Sequence, residues 1–453
     1  MQIDDLTEAG IKKKINKILP VIVTAPPEDF INIVTFLGQN GTNFEDILEL
    51  IDAYYKQIKD ESLKLQLERI LYRNFLKKYE SEYCFNEFFS MVQKHCSLIP
   101  GRNSVKQRQK SIWFHVDAPV FLAHTNAMFK LLQSRDINSV PVYISSTEFN
   151  LDFEKKCSDL NVNYRVLSGK TDLERYQNLV SLSENALAVV WNGPPLHLSY
   201  ISKRLDNVVY WSHRFHPRFD NVSLCLSGDP NLNDVFCHFD KKWRYFFSGF
   251  DIKNFGCSLN WKSRKNNFGS FCRETLIDNE QHWKNVAIIL NSHSDVTYYY
   301  AGRKQIHDKY CTRLSIDENR IKWLGWLDYP EQEILKMAFI LDGPILGHGL
   351  MGMEAMAGQV PMVSPYNSSG FFQNFCKYLK LNNVDQKLIN KAFGLKFSSK
   401  QELILISQLL LRNDYNAKIG KIFNKMIIER EDTSGKFKTL VEIVEEGLCN
   451  TWG

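Results

Sequence analysis

The residues best suited to chemistry fall between Phe339 and Val363. An apolar run leads to Asp342, a glycine-rich turn follows with His348 among Gly347, Gly349 and Gly352, then come Leu350, Met351 and Glu354, and a second apolar run opens at Val360. This pattern predicts a buried strand, a tight turn, the first turns of a helix and another buried strand. Glycines let a diphosphate approach the backbone, and the helix N-terminus offers it unpaired N–H groups and the positive end of a dipole. Gly347-x-Gly349-x-x-Gly352 also matches the dinucleotide fingerprint in form. That match is weak, because the turn comes late in its sheet and Phe371 and Phe372 stand where an acidic residue belongs. Glu354 lies one turn into the predicted helix, placed either to cap helical N–H groups or to accept hydrogen bonds from ligand hydroxyls.

Two further groups lie upstream. Trp211-Ser212-His213-Arg214-Phe215-His216-Pro217-Arg218 follows an apolar strand and brings two histidines and two arginines to its end. Such groups bind anions or move protons. His115, Asp117 and His124 cluster after the first predicted strand, and His124 or Asp117 is a candidate general base. Asn192-Gly193-Pro194-Pro195 ends another strand and reads as a turn. The acids contain no D-x-D triplet of the kind that holds a metal-bound sugar diphosphate, and no Walker-type phosphate loop is found.

These residues need elements to hold them. The chain is long enough, at 453 residues, for two or three domains, and 44% hydrophobic with 24% charged residues suits a globular protein. A net charge of +5 gives no argument for nucleic acid. No apolar run reaches transmembrane length and the N-terminus lacks a signal-peptide pattern. The ten cysteines are scattered, as free thiols in a reducing compartment would be, so a cytoplasmic location is expected. Asn40-Gly41-Thr42 and Asn221-Val222-Ser223 match the glycosylation pattern by chance on that reading.

Residues 1–105 read as all-helical. Asn43 is placed to cap a helix with Ile47, Leu48, Ile51, Tyr54 and Tyr55 on one face, and Leu63, Leu67, Ile70, Leu71, Phe75 and Leu76 form a second stripe. Residues 102–110 read as a basic connector. From Ser111 short apolar runs alternate with amphipathic segments: strands are expected at 112–116, 140–144, 164–167, 186–191 and 208–211. After an irregular aromatic stretch over 217–270, a helix at 278–292 precedes strands at 296–301, 321–324, 339–341 and 360–363. Alternation of this kind implies parallel sheets with helices on both faces. We expect a domain over 111–265 and another over 266–453, each Rossmann-like, with the binding site in the cleft they face. The final helices, near 400–430 and 436–449, are expected to finish the second domain and brace the first.

Leu341-Asp342-x-Pro344, the turn, Gly352-Met353-Glu354 and Pro361-Met362-Val363 together resemble the nucleotide-binding half of GT-B glycosyltransferases. The likeness is nearest to the O-GlcNAc transferase catalytic domain and the bacterial cytoplasmic N-glycosyltransferases. Here Glu354 replaces an aspartate and His348 is displaced by one position. Phe268-Gly269-Ser270-Phe271-Cys272-Arg273 is similar to the family segment whose basic residue contacts the diphosphate, which implies that role for Arg273. The 211–218 segment is similar, more loosely, to a Gly-His-Pro segment of the bacterial members, and the family places acceptor-side histidines near His124.

The resemblance implies a nucleotide-sugar donor, UDP-linked, held by Arg273, His213, Asp342, His348, Gly349, Leu350, Met351, Gly352 and Glu354. His124, Asp117 and His216 are the catalytic candidates. It further implies inversion by a single displacement without metal or cofactor, and suggests a protein side chain as acceptor. The helical front resembles that of the N-glycosyltransferases, and the 34-residue repeat of the O-GlcNAc enzymes is missing. Transfer to a glycan, lipid or small molecule, a sugar-nucleotide epimerase and a non-enzymatic binding adaptor stay open.

Overall fold

The computed structural model describes residues 24–39, 42–76, 82–96, 109–120, 123–136, 139–212, 219–228, 242–246, 248, 264, 266–272, 277–327, 330–343, 350–365, 395–431 and 435–449. These form two compact units. The first holds the described residues up to 228 together with 242–246 and 438–449, and the second holds those from 248 to 437.

Among the described residues the first unit opens with four helices, α1 (Pro27–Gln39), α2 (Phe44–Gln57), α3 (Glu61–Asn74) and α4 (Glu82–His95). Asn43 caps α2 by accepting the Glu45 N–H at 3.1 Å, and Asp60 caps α3 by accepting the Ser62 N–H at 2.8 Å. The α2 stripe is buried at Ile47, Leu50, Ile51, Tyr54 and Tyr55, while Leu48 is half-buried. In α3 the stripe is rotated from the expected one. Leu65, Leu67, Glu68 and Leu71 are buried, and Leu63 and Ile70 are only half-buried, because Glu68 and its neighbour Arg69 turn toward the sheet.

That sheet contains β1 (Gln109–Val116), β2 (Val142–Ser146), β3 (Asn163–Val166), β4 (Ala186–Asn192), β5 (Val208–Ser212), β6 (Leu224–Ser227) and β7 (Trp243–Tyr245). All pairings are parallel, in the order β3-β2-β1-β4-β5-β6-β7. The central strands are buried on both faces, which is why β4 and β5 read as continuous apolar runs; the edge strand β3 is largely exposed. The described helices between them are α5 (Ala123–Gln133), α6 (Leu151–Asp159), α7 (Asp172–Ser183) and α8 (Leu198–Ser202).

The second sheet has β8 (Asn267–Ser270), β9 (Thr297–Tyr300), β10 (Ile321–Trp323), β11 (Phe339–Leu341), β12 (Met362–Pro365) and β13 (Lys396–Phe397), in the order β10-β9-β8-β11-β12-β13, again all parallel. Around it lie α9 (Glu280–Ser292), α10 (Asp308–Leu314), α11 (Glu331–Ile334), α12 (Leu350–Ala357), α13 (Lys400–Leu410) and α14 (Asn413–Glu431). Its core joins Phe268, Trp283, Tyr298, Phe339, Met356, Val363 and Phe423, with Trp283 stacked on Tyr310 at 5.2 Å. The last helix, α15 (Lys436–Cys449), belongs almost entirely to the first unit. There Gly447 lies so close to Leu224 of β6 that a Cβ would sit 3.0 Å from its methyl groups.

Two expectations change. The aromatic stretch 217–270 contains β6, β7 and β8, too short and too mixed in polarity to register as apolar runs. Gln109 and Lys110, read as connector, open β1 as exposed residues, with Gln109 level with Ala186 at the start of β4. The described part of the helical front falls in the same compact unit as the first sheet. Among the described residues no helix is long and apolar enough to cross a membrane.

Candidate active site

Both sheets reverse their strand order at one point, β8/β11 in the second and β1/β4 in the first. Ligands of doubly wound sheets lie outside the strand carboxyl ends at such a switch point. In the second unit Phe339 and Ile340 of β11 sit level with Phe268 and Gly269 of β8, and the Ser270 hydroxyl donates to the Leu341 carbonyl at 2.7 Å. The chain leaving β8 runs through Phe271 and Cys272 to Arg273, and the chain leaving β11 runs through Asp342 and Gly343 into the glycine-rich turn. Two segments far apart in sequence therefore start from adjacent strand ends. Arg273, His348 and Gly349 themselves lie outside the described residues.

Asp342 is fully buried. Its Oδ1 accepts the Gly343 N–H at 3.0 Å and its Oδ2 accepts the Ser364 hydroxyl at 2.7 Å, so it ties the entry of the turn to β12. The turn opens α12 at Leu350 and Met351, whose side chains also lie outside the described residues; Gly352 and Glu354 are buried in the helix. The far end of α12 is held by a residue not singled out in the sequence. Arg264, buried, donates to the carbonyls of Gly358 and Gln359, where a guanidinium suits the negative end of a helix dipole. Burial pushes its pKa down to about 10.

In the first unit the carboxyl end of β1 leads into a polar network. Arg69 of α3 clasps Asp117 with both terminal nitrogens, at 3.1 and 2.9 Å, and reaches Asp172 at the start of α7 through Nε at 3.1 Å. The Tyr176 hydroxyl lies 3.1 Å from Asp117 Oδ1 and 2.7 Å from His197 Nδ1, and the His197 Nε2–H donates to the Leu65 carbonyl at 2.9 Å. Burial alone would raise the Asp117 pKa, but the adjoining Arg69 charge outweighs it and holds the carboxyl below its ordinary value. Asp117, a base candidate in the sequence, accepts hydrogen bonds from Arg69 and Tyr176, which tie it to the end of β1. His115, beside it on β1, is enclosed by Trp191 and Tyr176, and burial drives its pKa down to about 3, so the ring is neutral.

Glu68 completes the network. Its Oε1 accepts the His197 N–H at 2.8 Å in a buried setting. Burial, only partly offset by that hydrogen bond and by Arg69, raises its pKa from an ordinary 4.5 to about 8. The folded state therefore favours the protonated carboxyl. Its contribution is fully present below pH 4.5 and is lost as pH rises through 8. Glu68→Gln keeps the acceptor oxygen and removes the titration, so the variant should gain on the wild type by up to a few kcal/mol between these pH values. Melting curves at pH 5 and pH 8.5 check this; a Tm difference that does not grow with pH would show that Glu68 is not held neutral.

His124, half-buried at the start of α5, lies at the β1/β4 switch point. Its carbonyl accepts the Asn192 Nδ2–H at 3.2 Å, and its ring rests against Gly193, both just past β4 or at its end. The segment with His213 and His216 leaves the adjacent β5 after Ser212 and lies outside the described residues. The structure thus brings Asp117 and His124 to one sheet edge. Glu68, Arg69, Tyr176 and His197 had no motif. Glu68, three residues from both Leu65 and Leu71 on α3, is the one of them that falls on an apolar stripe.

No family model and no curated protein matches the chain. Among solved structures it is similar to an O-GlcNAc transferase mutant of Thermobaculum terrenum, with a TM-score of 0.57 and 14% identity over 94% of this chain and 85% of that one. A glycosyltransferase of Rickettsia africae ESF-5 gives 0.53 with 12% identity over 76% of this chain and 99% of its own. The lipopolysaccharide outer core galactosyltransferase WaaB gives 0.51 with 12% identity over 75% and 99%. The fold, two Rossmann-like parallel sheets behind a helical front, is that of the GT-B glycosyltransferases, as expected from the sequence.

Proposed function

We propose that the chain is a glycosyltransferase that moves a sugar from a UDP-linked donor to an acceptor, with a protein side chain as the acceptor class that the motif resemblance favours. One observation carries this reading. The Arg273 segment and the glycine-rich turn leave the adjacent ends of β8 and β11 at a switch point, and a helix opens at the end of that turn. We assign the diphosphate to the N-terminus of that helix, with the turn amides and the Arg273 guanidinium as its proposed donors. Glu354 and Gly352, buried in the same helix, belong to the donor side on this reading.

In the proposed step an acceptor oxygen or nitrogen attacks the anomeric carbon as the bond from that carbon to the β-phosphate oxygen breaks. The bonding electrons leave with the diphosphate, whose growing charge Arg273 and the amides stabilise in place of a metal. We assign the base for the acceptor proton to His124 of the first unit, with His213 and His216 as the further candidates from the sequence. Asp117 holds the β1 end and takes no proton. Cys84, Cys96, Cys157, Cys225, Cys272 and Cys311 are free thiols, which favours a cytoplasmic setting.

A thermal-shift panel of UDP, GDP and ADP sugars tests the donor, with and without magnesium. Binding raises Tm by mass action, about 2.7 kcal/mol of stabilisation at a ligand concentration of 100 times Kd. A UDP-sugar shift of the same size without magnesium is expected. A shift that needs the metal, or one confined to another nucleotide, would replace this donor assignment. Mass spectrometry of candidate proteins and glycans incubated with the shifting donor then identifies the acceptor.

A further inference from the structure

We infer that Asn192 and Gly193 are positioning residues for His124, fixing where its ring stands at the carboxyl edge of the first sheet; the inference rests on His124 being the base proposed above. The two strands involved are neighbours, with His115 of β1 level with Trp191 of β4. Past these residues one chain turns into α5 and the other into the Asn192–Pro195 turn. Gly193 has φ +131°, a backbone state that favours glycine, and a Cβ added there would stand 3.3 Å from both Cδ2 and Nε2 of His124. The imidazole edge therefore lies directly on a backbone that only glycine leaves open. Asn192 is buried, and its amide donates to the carbonyl of His124 itself at 3.2 Å.

Both sides of this contact are fixed from behind. The Trp191 indole N–H donates to the Pro194 carbonyl at 3.0 Å, which anchors the turn, and the Thr125 hydroxyl donates to the Val120 carbonyl at 2.7 Å, which anchors the start of α5. The glycine conformation alone would be explained by a turn. The asparagine reaching to the histidine backbone would not, and together they locate one ring from two directions. Misplacing a reacting group by about 1 Å costs on the order of 100-fold in rate.

The test uses the full chain, Gly193→Ala, Asn192→Ala and His124→Gln, singly and in pairs. Release of UDP from UDP-N-acetylglucosamine, UDP-glucose and UDP-galactose is measured, along with the histidine ring NMR resonances, assigned through His124→Gln. Gly193→Ala is expected to lower kcat about 10- to 100-fold with KM for the sugar nucleotide unchanged, to move the His124 resonances, and to have no further effect in the His124→Gln background. An equal loss in both backgrounds, or unmoved His124 resonances, overturns the inference. Should Gly193→Ala fail to fold, Asn192→Ala carries the same cycle. If the wild type releases UDP from none of the three, the transferase reading fails separately, and the resonances alone decide whether the pair positions His124.

Discussion

Replacing Arg69 with alanine should destabilise the first unit by about 3–5 kcal/mol, the cost of breaking a buried ion pair by removing one partner. The side chains of Arg69 and Asp117 are only 15% and 9% exposed, and that of Asp172 is 15% exposed, so the loss leaves two carboxylates with little water to solvate them. The guanidinium is also the piece that spans them. Two nitrogens serve Asp117 and the third serves Asp172, a fork that an ammonium group cannot reproduce, so Arg69→Lys should recover only part of the loss. Replacing all three charged groups with neutral ones of similar shape should cost less than Arg69→Ala alone, because no uncompensated charge remains. Denaturant titration of the variants measures this. A loss below about 1 kcal/mol for Arg69→Ala would mean the pair behaves as a surface contact. The same network depends on acid: the lowered Asp117 pKa stabilises the fold at neutral pH, and that contribution fades as pH falls through its depressed value.

This network marks the limit of what the sequence discloses. Apolar runs such as Ile112–Val116 and Val208–Trp211 identify central strands, because a strand covered on both faces must be apolar throughout. β6, β7 and β13 have four, three and two residues and are recognisable only through the neighbours they pair with. The glycine-rich turn and Arg273 stand out by residue type and spacing, and the strand order sets side by side the two strands they follow, some 70 residues apart. Glu68 and Arg69 gave no such signal. Their partners, Asp117, Asp172 and His197, are 48 to 129 residues away, and glutamate next to arginine on a helix reads as a solvated face until the sheet is built against it. Asp117 meets the same limit: its place after β1 is legible in the sequence, and its ion pair with Arg69 is not.

Arg273→Ala should lower turnover of the UDP-sugar donor by about 100- to 1000-fold, the range found when one preorganised donor to developing negative charge is removed. In the proposed displacement the diphosphate gains charge as the anomeric bond breaks, so an interaction that strengthens along the way acts on kcat more than on ground-state binding. The segment leaves β8 beside β11, and the preceding residues, Phe268 and Phe271, are fully buried in the core of the second unit, so the strand does not depend on the arginine for its place. Tm should therefore stay near that of the wild type while kcat falls. Arg273→Lys should restore part of the rate, since a point charge meets one phosphate oxygen where the guanidinium bridges two. Added magnesium is a sharp control: if the cation restores the alanine variant fully, the site accepts a metal in the role given to Arg273. Turnover at the wild-type rate in Arg273→Ala would detach this residue from the leaving group, and the charge would then have to be met by the turn amides and the start of α12 alone.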